Sequence, residues 1–189
     1  MLEELIQYDK ELFLVLNNLG TTTWDDFWMI LTHKFTAIPL YVFLLFLSYK
    51  QLGLKKTGLM VLAVALLITC TNGLADFFKY GVQRLRPCHD ADLEGLVRLV
   101  KKSCGGKYSY FSAHASNTMG VAVFFALVLK SKYNSLSFLL LVWAMLVAYS
   151  RVYIGVHFPL DIVTGMIIGA TFAWIFTKLF IFTAHKFRL

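Results

Sequence analysis

Residues 57–78 read TGLMVLAVALLITCTNGLADFF and carry no charge from Thr57 to Ala75. As a helix, that stretch is long enough to cross a hydrocarbon core of about 30 Å. Similar apolar runs lie on both sides of it: 36–49 (TAIPLYVFLLFLSY), 114–129 (HASNTMGVAVFFALVL), 136–149 (LSFLLLVWAMLVAY) and about 159–183. The 36–49 run is short by itself. It gains length if its helix starts near Trp24, behind Thr21–Thr23 as a cap and with Asp25 and Asp26 in the first turn.

Composition agrees with this reading. The chain has 189 residues, 58% of them hydrophobic and only 15% charged, and a mean hydropathy of +0.66. These values indicate an integral membrane protein: an all-α, polytopic transmembrane bundle of five to six membrane helices in one domain, 1–189. The net charge of +7 is dispersed without a like-charge run, so nucleic acid is not an expected partner; a membrane surface or an anionic substrate is. Nothing at the N-terminus has the form of a removable signal peptide. Leu2, Leu5, Ile6, Leu12, Phe13, Leu16 and Leu19 recur at roughly helical spacing among charged residues. They predict an amphipathic helix lying on the membrane, with a sixth partial span as the alternative.

Lys50, Lys55, Lys56, Lys130, Lys132, Lys178, Lys186 and Arg188 share one side of a five-span arrangement, which the positive-inside tendency assigns to the cytoplasm. The acidic N-terminus (Glu3, Glu4, Asp9, Glu11), the 79–113 loop and the 150–158 turn then share the opposite face.

Three polar islands lie at that face. In KYGVQRLRPC, Lys79 ends a span and Arg86 precedes Pro87; proline disfavours helix at the residue before it, so the helix stops near Leu85 and both cations can turn toward one anion. Ordinary basic anchoring on headgroups would account for either residue singly. In YFSAHASN, Ser112 is placed to cap the next helix beside His114, and the free N–H groups of a first turn suit a phosphate. In SRVYIGVHFPLD, Pro159 opens the last span, with His157 just before it and Asp161 in its first turn. The Asp161 carboxylate can fix one His157 ring nitrogen and leave the other free as a base or nucleophile. A capping aspartate beside an interfacial histidine would explain the third island equally well if it stood alone.

Taken together, Lys79-x6-Arg86-Pro87, Ser112-Ala113-His114 and Ser150-Arg151-x5-His157-x3-Asp161 resemble the three-part motif of the type 2 phosphatidic acid phosphatase (PAP2) superfamily, in particular its small bacterial membrane members. The resemblance implies His157 as a nucleophile that forms a phosphohistidine, Asp161 as its orienting partner and His114 as general acid and base. It implies Lys79, Arg86, Arg151, Ser112 and the Ala113 N–H as ligands of the phosphoryl oxygens, with no metal and no cofactor. Phe111 and Ala113 stand where the family usually has proline and glycine, so an ordinary backbone angle or a tighter pocket is expected at Ala113.

The expected activity is metal-independent hydrolysis of a lipid phosphate. Undecaprenyl diphosphate or a related polyprenyl carrier at the outer face of a bacterial inner membrane comes first, and phosphatidylglycerophosphate, phosphatidic acid or lipid A is the alternative. A non-enzymatic transporter would place ionisable residues at mid-span, whereas here they gather at span ends. Cys88 and Cys104 share the 79–113 loop and are expected to form a disulfide on a non-cytoplasmic face. Cys70, inside a span, is expected to be a buried thiol.

Overall fold

The computed structural model describes residues 1–130 and 132–189. Six helices follow one another: α1 (Leu2–Asn18), α2 (Thr22–Thr32), α3 (Ile38–Val82), α4 (Ala113–Leu129), α5 (Asn134–Tyr153) and α6 (Pro159–Lys186). The long α3–α4 connection carries two short 3-10 turns, Pro87–His89 and Ala91–Leu93. No strand occurs among the described residues beyond a bridge between Leu85 and Tyr108.

α3 is not one rod. Gly53 adopts φ 76°, ψ 174°, a conformation closed to residues with a Cβ. Tyr41 and Leu45 line the same cavity as Val64 and Ile68, so the arms 38–52 and 54–82 run antiparallel. With α4, α5 and α6, the two arms supply five apolar helices. Lys50, Lys55 and Lys56 cluster about the reversal.

The first span does not begin near Trp24. α2 ends at Thr32, His33 is extended (φ −76°, ψ 131°), and Pro39 sits in the first turn of α3. Proline lacks an N–H and clashes with the carbonyl four residues back, so a helix cannot run through it unbroken. α2 instead packs on α5, where Trp28 meets Tyr149 and Tyr153, each at 5.1 Å between ring centroids.

α1 caps the same end of the bundle. Phe13 packs edge-on against Phe158 at 5.3 Å. Asn17 is fully buried; its Nδ2 donates to the carbonyls of Arg98, Val152 and Tyr153 at 2.8–3.1 Å, and its Oδ1 accepts from Arg98 N–H at 2.8 Å. Leu2, Leu5, Ile6 and Leu12 remain exposed along the other side, the amphipathic division expected of an interfacial helix. Asp9, however, is not part of a solvated acidic tail, being only 4% exposed.

α4 is the central helix, buried along most of its length by α3, α5 and α6. Its approach to α6 is set by small residues. A Cβ on Gly169 would lie 2.1 Å from the Ser116 carbonyl oxygen, and one on Gly165 would lie 2.6 Å from that of Ser112. The spacing Gly165-x3-Gly169 permits backbone-to-backbone packing that larger residues forbid. Ser112 N–H then donates to the Asp161 carbonyl at 3.0 Å, so this crossing brings the second and third polar islands together.

Candidate active site

The site forms where α4 begins, α5 ends and α6 begins. Ser112 is the N-cap of α4, and its Oγ accepts from the Ala115 N–H at 3.4 Å. Ala113 opens the helix at an ordinary negative φ, so the first turn forms without glycine. His114 follows, half-buried.

Arg151 lies in the last turn of α5. Gly155 (φ 81°) turns the chain, and a Cβ there would meet the Arg98 carbonyl at 2.8 Å. The N–H groups of Val156 and His157 curl back to the Arg151 carbonyl at 3.1 and 3.3 Å. Pro159 then starts α6 and puts Asp161, fully buried, in its first turn. Asp161 Oδ2 accepts from the Phe158 N–H at 2.9 Å and lies 3.3 Å from His157 Nδ1. With Nδ1 held as a donor, Nε2 keeps its lone pair.

The first island arrives differently than its spacing suggested. α3 ends at Val82, three residues short of Leu85, because Gln83 takes a left-handed conformation (φ 54°). The next residues run extended against 107–109: Arg86 N–H donates to the Lys107 carbonyl at 3.1 Å and Ser109 N–H to that of Arg84 at 2.8 Å. Arg86 Nη1 donates to the Cys104 carbonyl at 2.6 Å. Lys79, in the last helical turn, pairs with Asp76 at 3.1 Å.

Three residues outside the expected site set also belong to this end of the molecule. Arg84 bridges two buried carboxylates, with Nη2 2.6 Å from Asp9 Oδ2 and Nη1 3.1 Å from Asp161 Oδ1. Its guanidinium lies over the Phe158 ring at 4.0 Å. Asp9 also accepts from the Leu160 N–H at 2.9 Å, so α1 is tied to the first turn of α6. Lys101 lies within electrostatic reach of Arg86, Arg151 and His114. The signals were the first arginine of RLRP and the basic pair 101–102, neither of which has a period to betray its partner.

The field at the site is positive. Burial pushes the Lys101 ammonium down, and Arg151 and Arg86 push it the same way. Burial likewise lowers Arg86, against the pull of Asp161. His157 is pushed down to about 4, first by burial and then by Arg151 and Arg86, with Asp161 opposing. It is therefore a neutral imidazole at physiological pH. Arg151 Nη1 donates to Thr32 Oγ1 at 2.8 Å, but its buried Nε has no partner among the described residues. A buried, unpaired guanidinium N–H beside two further cations is the electrostatic setting for an anion with several acceptor oxygens.

Cys88 and Cys104 face each other with their sulfurs in contact and their Cα atoms 6.2 Å apart, within the range of a disulfide. Cys70 is not buried. It is exposed on the outer surface of the bundle.

A helical bundle built to cross a membrane, with a neutral His–Asp pair, a second histidine at a helix N-terminus and converging cations, defines a membrane-embedded phosphoric ester hydrolase. The chain belongs to the PAP2 superfamily, whose family model matches residues 57–183. It is 34% identical to a lipid A 4'-phosphatase of Bacteroides thetaiotaomicron over 98% of this chain and 81% of that one. An undecaprenyl-diphosphatase of Sulfolobus acidocaldarius is 30% identical, with coverage of 89% and 76%. Among solved structures, Aquifex aeolicus LpxE superposes with a TM-score of 0.67 at 27% identity, covering 89% of this chain and 93% of the other. A transmembrane PAP2-type phosphatidylglycerolphosphate phosphatase from Bacillus subtilis shares the fold, with a TM-score of 0.70 at 20% identity over 93% and 86% of the two chains.

Proposed function

We propose that the protein hydrolyses a lipid A-type phosphate monoester through a phosphohistidine on His157, without a metal, at the outer face of a bacterial inner membrane. The observation that carries the mechanism is the buried neutral His157, its Nδ1 held by Asp161 amid unneutralised cations. Nε2 attacks phosphorus and the P–O bond to the lipid breaks. His114 gives its proton to the departing oxygen, and Asp161 stabilises the imidazolium that forms. His114 then takes a proton from water, which attacks the phosphohistidine; the N–P bond breaks and neutral His157 returns with inorganic phosphate. Arg86, Arg151, Lys101, the Ser112 hydroxyl and the Ala113 N–H hold the three equatorial oxygens, and Lys79 adds positive charge.

The substrate reading is supported by the 34% identity to a lipid A 4'-phosphatase over nearly the whole chain, with a second such relative, from Porphyromonas gingivalis, at 30%. A second reading, undecaprenyl diphosphate, is favoured by the Sulfolobus relative and by Lys101 as an added cation for a second phosphate. The test is phosphate release by purified protein in detergent with EDTA, across lipid A, undecaprenyl mono- and diphosphate, phosphatidylglycerophosphate and phosphatidic acid. The highest kcat/KM on lipid A, inhibited by vanadate, is the expected result. Activity lost in EDTA and restored by magnesium would overturn the metal-independent mechanism; a clear preference for the polyprenyl diphosphate would select the second reading.

A further inference from the structure

A small group of polar side chains lies below the site, inside the apolar part of the bundle, and takes no part in the chemistry above. Thr71 Oγ1 donates to Asn117 Oδ1 at 2.6 Å, and Asn117 Nδ2 donates to Asn72 Oδ1 at 2.8 Å. The three join the second arm of α3 to α4. Thr71 is buried, whereas Asn72 and Asn117 are half-exposed at the edge of the helix pair. Asn72 Nδ2 donates to no group among the described residues, and Asn117 uses one of its two amide hydrogens. Even with both amides rotated end for end, some N–H donors stay unpaired.

Unpaired amide donors at membrane depth are costly, and they mark a place where an acceptor is expected. Their position says which acceptor. Asn117 is one helical turn from His114, and Asn72 is two turns from Lys79, so the pair lies roughly 5–10 Å deeper than the phosphate. One further turn down, Ile68 and Val121 line an apolar cavity of about 220 Å³ together with Tyr41 and Phe125. The sequence of environments along the second arm of α3 and α4 is cation, amide donor, hydrocarbon. A lipid whose chains join the head through ester or amide carbonyls has the same sequence. A polyprenyl phosphate does not, being hydrocarbon from its first methylene.

We propose that Asn72 and Asn117 form a carbonyl-recognition site that selects acyl-linked lipid phosphates, with the first part of one acyl chain in the cavity lined by Tyr41, Ile68 and Val121. This rests on the reading of the protein as a lipid phosphatase and deepens it. The alternative role for the pair is to join the helices only, as interhelical amide bonds do elsewhere.

The experiment compares dioleoyl phosphatidic acid with its dialkyl ether analogue, which differ only in the two carbonyls, and uses p-nitrophenyl phosphate as a chain-free substrate. Wild-type protein is expected to favour the ester lipid about tenfold in kcat/KM, the scale of one net hydrogen bond. Asn72→Leu and Asn117→Leu are expected to remove that preference by slowing the ester lipid alone, with p-nitrophenyl phosphate turnover unchanged. Equal wild-type rates on the ester and ether lipids would overturn the inference without any variant having to fold. So would leucine variants that slow all three substrates alike and leave the wild-type ratio intact, the mark of a purely structural pair. Absence of phosphate release from every lipid would instead defeat the lipid phosphatase reading itself.

Discussion

At the scale of single residues, the site is a balance of buried charge. Asp161 is engaged by His157, by the Phe158 N–H and by Arg84, so its removal disturbs an oriented network. His157→Ala and His114→Ala are expected to abolish turnover in protein that still folds, and Asp161→Asn to reduce kcat by orders of magnitude, as loss of an orienting carboxylate does. Phosphate-release assays on detergent-purified variants check this, and near-normal activity in either histidine variant would remove that residue from the mechanism. Arg84 and Asp9 act through Asp161 and the α6 first turn. Arg84→Met and Asp9→Asn should lower kcat about 10- to 100-fold with little change in KM, since neither need touch the phosphate. A change in KM alone would place Arg84 on the substrate instead. Acid stability gives a third readout. His157 has an ordinary value of 6.5 and is held near 4 in the fold, so the unfolded chain binds more protons between those values. Stability therefore falls as pH drops through that window. Buried Asp9, whose carboxyl is pushed up by burial, contributes the opposite slope. The comparison of wild type with His157→Gln isolates the histidine: the variant's melting temperature should fall less between pH 6.5 and 4.

At the scale of elements, the decisive contact is α4 against α6. The Gly169 Cα lies so close to the Ser116 carbonyl that a Cβ would sit 2.1 Å from it, and backbone cannot yield as a flexible side chain can. Gly169→Leu is expected to destabilise the protein by about 3 kcal/mol or more and to cut activity, because the motion that relieves the clash separates Ser112 from Asp161. Gly73→Leu is the matched control, since a Cβ there meets nothing within 4 Å. Thermal unfolding in detergent followed by size exclusion compares the two, and equal stability would mean that the helices can part without penalty.

At the scale of the whole molecule, the 83–112 connection is pinned from several sides. Lys10 pairs with Asp90 and Asp92, Arg98 with Asp25, and Cys88 faces Cys104. If the lysines gathered at the opposite end mark the cytoplasmic face, as the positive-inside tendency predicts, this end lies on the translocated side. A Cys88–Cys104 disulfide should therefore be present in protein from native membranes, and Cys104→Ser should cost about 3 kcal/mol, the entropy of a loop of that size. Mass spectrometry after alkylation without reductant checks it: free labelling of both thiols would show the bridge absent and take one support from the outward orientation.

What the sequence by itself determined is whatever local chemistry controls. The apolar spans, the Ser112 cap, the Pro159 start with Asp161 three positions into its helix, and the His157–Asp161 pairing four residues apart all follow from rules that act within one or two turns. Pro39 carried a legible signal too, and it overrides the long first span. The tertiary structure alone decided the rest. Arg84 meets Asp9 across a separation of 75 residues and Asp161 across 77, and Lys101 joins Arg86 and Arg151. Such pairings have no periodicity. They depend on how closely two backbones cross, and here that distance is set by Gly165 and Gly169 meeting the carbonyls of Ser112 and Ser116, a packing fact that becomes visible only once α4 and α6 are side by side.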